Sequence, residues 1–185
     1  MRILVSGFKP FGPHESNPSE EIIKALPKMI GDNTVDTVLL PVAYETAFQV
    51  LNQAVLKERY DSVMMLGLAA GRKNITIEHH AINLRHASLA DEAGVFKQFE
   101  KIRDQGPLLV ESSLPYESLL RLAKEEKQLI TLSTDAGAYV CNDVFYLMRL
   151  YHPHVRAGFV HVPDEETLPI GELVLTIEWL IQNLA

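Results

Sequence analysis

Several classes of protein are excluded by what this chain has little of. It contains one cysteine, Cys141, in 185 residues. No internal disulfide can form, so a reducing compartment, the cytoplasm, is expected. Basic residues are outnumbered 17 to 24, giving a net charge of −7 and a pI near 5.5. A general binder of nucleic acid or of an anionic membrane needs a basic face, so neither partner is expected. No apolar run approaches the ~18 residues that span a bilayer. Residues 63–71 are uncharged but far shorter. The opening Met1-Arg2-Ile3-Leu4-Val5-Ser6-Gly7 reads as a strand cut off by Gly7. It is too short for the apolar region of a secretory signal, so none is expected. Neither glycine-bearing segment, Gly7 to Gly12 or Gly67 to Gly71, has dinucleotide or P-loop spacing. The histidines make no zinc set. His79 and His80 are adjacent, His152 and His154 flank Pro153, and His14 lies in a loop. No metal and no cofactor are expected. Repeats, low-complexity stretches and linkers are lacking too, so residues 1–185 are expected to form one domain.

What is present is ordinary for a globular protein, 47% apolar and 22% charged. Residues 2–6 read as a buried strand. Residues 19–26 read as a helix capped by Asn17 or Ser19, with Glu20 and Glu21 in its first turn. Strands are expected at 35–40, 62–66, 75–84, 128–133 and 157–162, and helices at 46–58, 117–126, 140–150 and 169–184. Several strands are apolar on both faces, which suits a buried sheet between helices. The expected class is α/β: a three-layer α/β/α domain with a twisted, largely parallel or mixed sheet. Residues 85–112 fit this scheme least and are expected to form an excursion or small hairpin.

Open sheets bind ligands beyond the carboxyl ends of their strands. Four segments fall just after strands: those beginning at Gly7 and Gly67, that of Cys141, and His161-Val162-Pro163. Cys141 sits at the expected start of a helix, where the dipole and nearby N–H groups favour thiolate. Judged on its own, a lone cysteine is read first as a small buried hydrophobe. His161 closes an apolar strand and is the candidate base, although a hydrogen-bonded strand-end histidine has the same appearance. The third group, holding the imidazole in its tautomer, is open among Glu78, Asp135 and Asp143. Glu78 interrupts a strand-like stretch. Asp135 reads more naturally as a cap of the following helix, and Asp143 as a first-turn acid.

Taken together, four segments resemble the pyroglutamyl peptidase I (pyrrolidone-carboxylate peptidase) family. Gly7-Phe8-Lys9-Pro10-Phe11-Gly12 with Asn17-Pro18-Ser19 is similar to its opening signature. Ile75-Thr76-Ile77-Glu78-His79-His80-Ala81-Ile82-Asn83 is similar to its glutamate segment. Ser133-Thr134-Asp135-Ala136-Gly137-Ala138-Tyr139-Val140-Cys141-Asn142 resembles its nucleophile motif, and Gly158-Phe159-Val160-His161-Val162-Pro163 its histidine motif. The resemblance implies a Cys141–His161–Glu78 triad, cleavage of N-terminally pyroglutamylated peptides without a cofactor, and a homo-oligomer, dimer or tetramer. It places Phe8, Phe11, Val42, Leu89, Tyr139 and Val140 in the substrate pocket. The Cys141 backbone N–H is a candidate oxyanion donor.

The chain also departs from the family pattern. Ser88 stands where the family commonly has an oxyanion-binding arginine, and Arg85 or Arg72 is the candidate replacement. Leu68 stands where many members have glutamine, and residues 90–94 lack the usual proline and asparagine. The connection from nucleophile to histidine is shorter. Two further readings stand beside hydrolysis of pyroglutamyl peptides. One is action on another small N-acyl or lactam amide, and the other is a non-enzymatic binder of a pyroglutamyl-like ligand.

Overall fold

The computed structural model describes residues 1–12 and 15–184, so His14 lies outside the described residues. The chain forms β1 (Arg2–Phe8), α1 (Pro18–Ala25), β2 (Met29–Ile30), β3 (Asn33–Leu40), α2 (Thr46–Lys57), β4 (Ser62–Leu68) and β5 (Ile75–Glu78). It continues through β6 (His80–Ile82), β7 (Leu109–Glu111), α3 (Tyr116–Glu125), β8 (Ile130–Ser133), α4 (Val140–Tyr151), β9 (Arg156–Val162) and α5 (Ile170–Gln182). No helix among the described residues is long and apolar enough to cross a membrane.

Seven strands make one sheet in the order β2-β3-β1-β4-β9-β5-β8. The central strands β1, β4 and β9 are buried on both faces, because residues such as Ile3, Val5, Met64, Leu66 and Phe159 leave no polar side to expose. One face packs on α1, α3 and α5 through Ile22, Leu119, Leu173 and Ile177. The other packs on α2 and α4 through Ala47, Leu51, Val144 and Phe145. The fold is therefore α/β with helices on both sides of a mixed sheet.

Strands β3, β1, β4 and β9 are parallel, but β5 runs against β9, and β8 follows β5. This changes the expected geometry of the site. The segments after β1, β4 and β9 leave from carboxyl ends on one rim. Strand β8 points the other way, so the Cys141 segment returns to that rim through the loop of residues 134–139.

The strand expected over 75–84 divides at His79. Its N–H donates to Ser133 and its carbonyl accepts from Ser112. Beyond it β6 leaves the large sheet and pairs antiparallel with β7. The intervening excursion folds back on itself through an Arg85–Glu100 bridge. Asp91 organises it, accepting from the N–H groups of Ala93 and Val95, and from Tyr44 N–H at 2.9 Å.

Helix α1 is capped by Asn17, whose Oδ1 accepts from Ser19 N–H at 3.1 Å. Ser19 Oγ in turn accepts from Phe8 N–H at 2.9 Å, fastening the end of β1 to the helix. Asp135 does not cap α4 as expected. The cap position is Tyr139, and Asp135 accepts from Gly137 N–H at 2.9 Å in a local turn. Gly137 takes φ +74 there, a conformation glycine adopts without strain.

Candidate active site

Cys141 is the second residue of α4 and is partly exposed. It lies on a cavity of about 230 Å³ together with His161, Arg72, Leu68, Phe11 and Tyr139. Strand β4 reaches the sulfur at Gly67, where a Cβ atom would lie 3.0 Å from Sγ and 2.8 Å from the Phe159 ring. The β4–β9 register sets Gly67 directly opposite His161. Sulfur, glycine backbone and imidazole are thus contiguous. His161 Nδ1 lies 2.8 Å from Oε1 of Glu78, which is fully buried. With Glu78 as carboxylate, Nδ1–H donates to it, leaving Nε2 as the basic nitrogen. Arg72 Nη1 donates to the same Glu78 oxygen at 2.5 Å and to Thr76 Oγ1. Its Nη2 donates to the Asp135 carbonyl at 2.6 Å.

The electrostatics correct the expectation of a resting thiolate. Burial pushes the Cys141 thiol up to about 12, and the Glu78 charge adds to this; its own N–H and Arg72 pull the other way. Desolvation of the sulfur outweighs the helix start. Burial also lowers His161 below its ordinary 6.5, although Glu78 opposes the shift. For Glu78, burial alone would raise the carboxyl; the hydrogen bonds from His161 and Arg72 outweigh it and hold the group below the usual range. At neutral pH the set is therefore thiol, neutral imidazole and carboxylate. It holds a proton donor, a base and a charge that stabilises the protonated base.

The pyroglutamyl peptidase family pattern matches residues 1–173. The chain belongs to the pyroglutamyl peptidase family. It is 35% identical to a pyrrolidone-carboxylate peptidase of Levilactobacillus brevis, covering 88% of this chain and 82% of that one. It is 32% identical to one of Staphylococcus aureus, covering 100% and 94%. The crystal structure of Bacillus amyloliquefaciens pyroglutamyl peptidase I superposes with a TM-score of 0.92 at 30% identity, covering 99% of this chain and 96% of that one.

In this pyroglutamyl peptidase family member the six expected pocket residues divide into two rows. Phe11 and Tyr139 line the cavity at Cys141, their ring centroids 5.9 Å apart. They also border a second lobe of about 430 Å³ that carries Leu89, Ser88 and His86. Tyr139 is held in place by its hydroxyl, which donates to Ala90 at 3.0 Å. Phe8, Val42 and Val140 are buried in the core instead and line neither lobe among the described residues. Phe8 packs against Phe159, which itself contacts the His161 ring. These three support the wall from behind.

Arg85 is not at the sulfur. Its Nε donates to Asp143 Oδ1 at 2.6 Å and its Nη1 to Glu45 at 3.3 Å. It faces a different cavity of about 510 Å³, beside Phe48, Arg103 and Tyr151. The reason is Asp143, a fully buried acid in the first turn of α4, which needs a counter-charge. This pairing also removes Asp143 from the neighbourhood of His161. Asp135 lines the Cys141 cavity, but His161 bonds to Glu78. Sequence reasoning named Arg72 only as an alternative cation and missed the contact of Gly67 with sulfur. A glycine ending an apolar strand was the available signal.

Proposed function

We propose that the chain hydrolyses the amide bond after an N-terminal pyroglutamyl residue, with Cys141 as nucleophile, His161 as base and Glu78 as its orienting carboxylate. The observation that carries this reading is the 2.8 Å His161–Glu78 contact beside a cavity holding Cys141. Sγ attacks the exocyclic carbonyl carbon as its proton passes to His161 Nε2, and Glu78 stabilises the imidazolium. Collapse of the tetrahedral adduct breaks the C–N bond, and Nε2–H protonates the departing amine. Water then attacks the thioester, giving its proton to Nε2; pyroglutamate leaves and the thiol is restored. The Cys141 backbone N–H is the candidate donor to the oxyanion. Phe11, Leu89 and Tyr139 offer apolar surface to the lactam ring, with Phe8, Val42 and Val140 behind them.

Residues 1–185 are read as one domain working in the cytoplasm as a homo-oligomer, dimer or tetramer. Phe99 and Leu108, 75% and 83% exposed on the excursion, support self-association. Ser88, with Arg85 engaged elsewhere, favours a second reading in which the same residues cleave another small N-acyl or lactam amide. Purified protein is expected to release the amine from a pyroglutamyl anilide, and Cys141→Ala to abolish release. Absence of turnover by folded protein would overturn the first reading. A thioester trapped from a panel of small amides would then support the second.

A further inference from the structure

We propose that Arg72 is a positioning residue for hydrolysis, holding Glu78 and the nucleophile loop in one arrangement and setting the charge beside Cys141. Its guanidinium connects three pieces of chain: its own β4–β5 connection, strand β5, and the loop that leaves β8, the strand paired with β5. Through Nη1 it reaches Glu78, and Thr76 on the same strand; through Nη2 it reaches the Asp135 carbonyl. Residues 134–139 carry the chain from β8, which runs against β9, into α4 and Cys141. The bond to Asp135 is therefore a tie between the acid side and the nucleophile side of the site. Planar, forked donors suit this task, whereas the point charge of lysine serves one acceptor at a time.

Arg72 is also the only lysine or arginine on the Cys141 cavity among the described residues. The groups facing His161 are Glu78 from β5, Arg72 from the β4–β5 connection, Asp135 from the loop before α4, and Cys141 on α4. Two are acids and one is a cation. Arg72 offsets the field of the carboxylates, which otherwise favours protonated imidazole and un-ionised thiol. It acts on the reaction through these neighbours and not by contact with the substrate.

The kinetic arm of the test rests on the hydrolytic reading; the alkylation arm does not. Cys141 is the sole cysteine, so the rate of carboxamidomethylation by iodoacetamide against pH reads this sulfur with no substrate present. In R72Q the profile should move upward by about one pH unit, about tenfold slower at a fixed neutral pH. R72K should return most of the profile. With a pyroglutamyl anilide, R72Q should lose mainly kcat, with its acid limb at higher pH; R72K should recover the limb but not full kcat. An R72Q profile superimposed on that of the parent protein would overturn the proposal, as would a loss confined to KM. Should R72Q fail to fold, R72K decides: parental alkylation with lowered kcat supports the proposal, and parental kcat overturns it. If the parent protein cleaves no anilide, the hydrolytic reading fails while alkylation still decides the role of Arg72.

Discussion

Gly67, beside the Cys141 sulfur, is one of the least replaceable residues at the site. An alanine there sets a methyl group 3.0 Å from the Cys141 sulfur and 2.8 Å from the Phe159 ring, which contacts His161. Overpacking of this kind costs about 1–3 kcal/mol, and displacing reacting groups by about 1 Å can cost on the order of 10² in rate. Gly67→Ala is therefore expected to fold, melt somewhat lower, and lose about 10² in kcat/KM, measured by anilide hydrolysis beside thermal denaturation. Glu78→Gln keeps the shape but removes the charge that stabilises imidazolium. It should lower kcat by on the order of 10²–10⁴ while leaving Cys141 in place for alkylation. At this scale the sequence was informative about chemistry and poor about neighbours. Cys141 and His161 stood out by residue type and segment, whereas Glu78 was singled out from Asp135 and Asp143 only by the family resemblance. The identity of the cation at the sulfur, Arg72 and not Arg85, depends on side-chain directions that spacing does not carry.

Helix α4 carries Cys141, and its first turn is fixed by polar groups as much as by apolar packing. Asn142 accepts from Ile82 N–H and donates to the carbonyls of Ile82 and Leu84, each at 2.9–3.0 Å. Asp143 pairs with Arg85. Arg85→Met leaves Asp143 buried without its partner, which costs about 3–5 kcal/mol. Urea unfolding should show that loss, while kcat per folded molecule stays within a few-fold. An oxyanion role for Arg85 predicts the reverse, a loss on the order of 10²–10³ in kcat at unchanged stability. Most elements were legible in the sequence because long apolar runs and helical periodicity mark β1, β4, β9, α2, α4 and α5. The two-residue β2 and the ribbon strand β7 were not expected, since neither has enough residues to show a period. The reversed direction of β5 and β8 was also hidden, because an apolar strand reads the same whichever way its neighbour runs.

For the molecule as a whole, the buried site links stability to acidity. The folded-state pKa of His161 lies below its ordinary 6.5. Below that pH the unfolded chain takes up a proton the native protein resists, and stability falls. Glu78, held below the ordinary 4.5, contributes stability above that value and loses it as pH drops further. Both act in the same direction, while Asp143, raised above its ordinary 3.8 by burial, acts in the opposite one at the acid end; the melting temperature should therefore decline from pH 7 to pH 5. In His161→Asn the first part of the decline should flatten, a result calorimetry across pH can check. The enclosure of the site also bears on chemical durability. Peroxide attacks thiolates far faster than thiols. A sulfur held protonated until a substrate carbonyl arrives is stored in its oxidation-resistant form. Turnover carries the sulfur from thiol to thioester and back with no free thiolate between, so enzyme working on substrate should last at least as long as idle enzyme in the same oxidising medium.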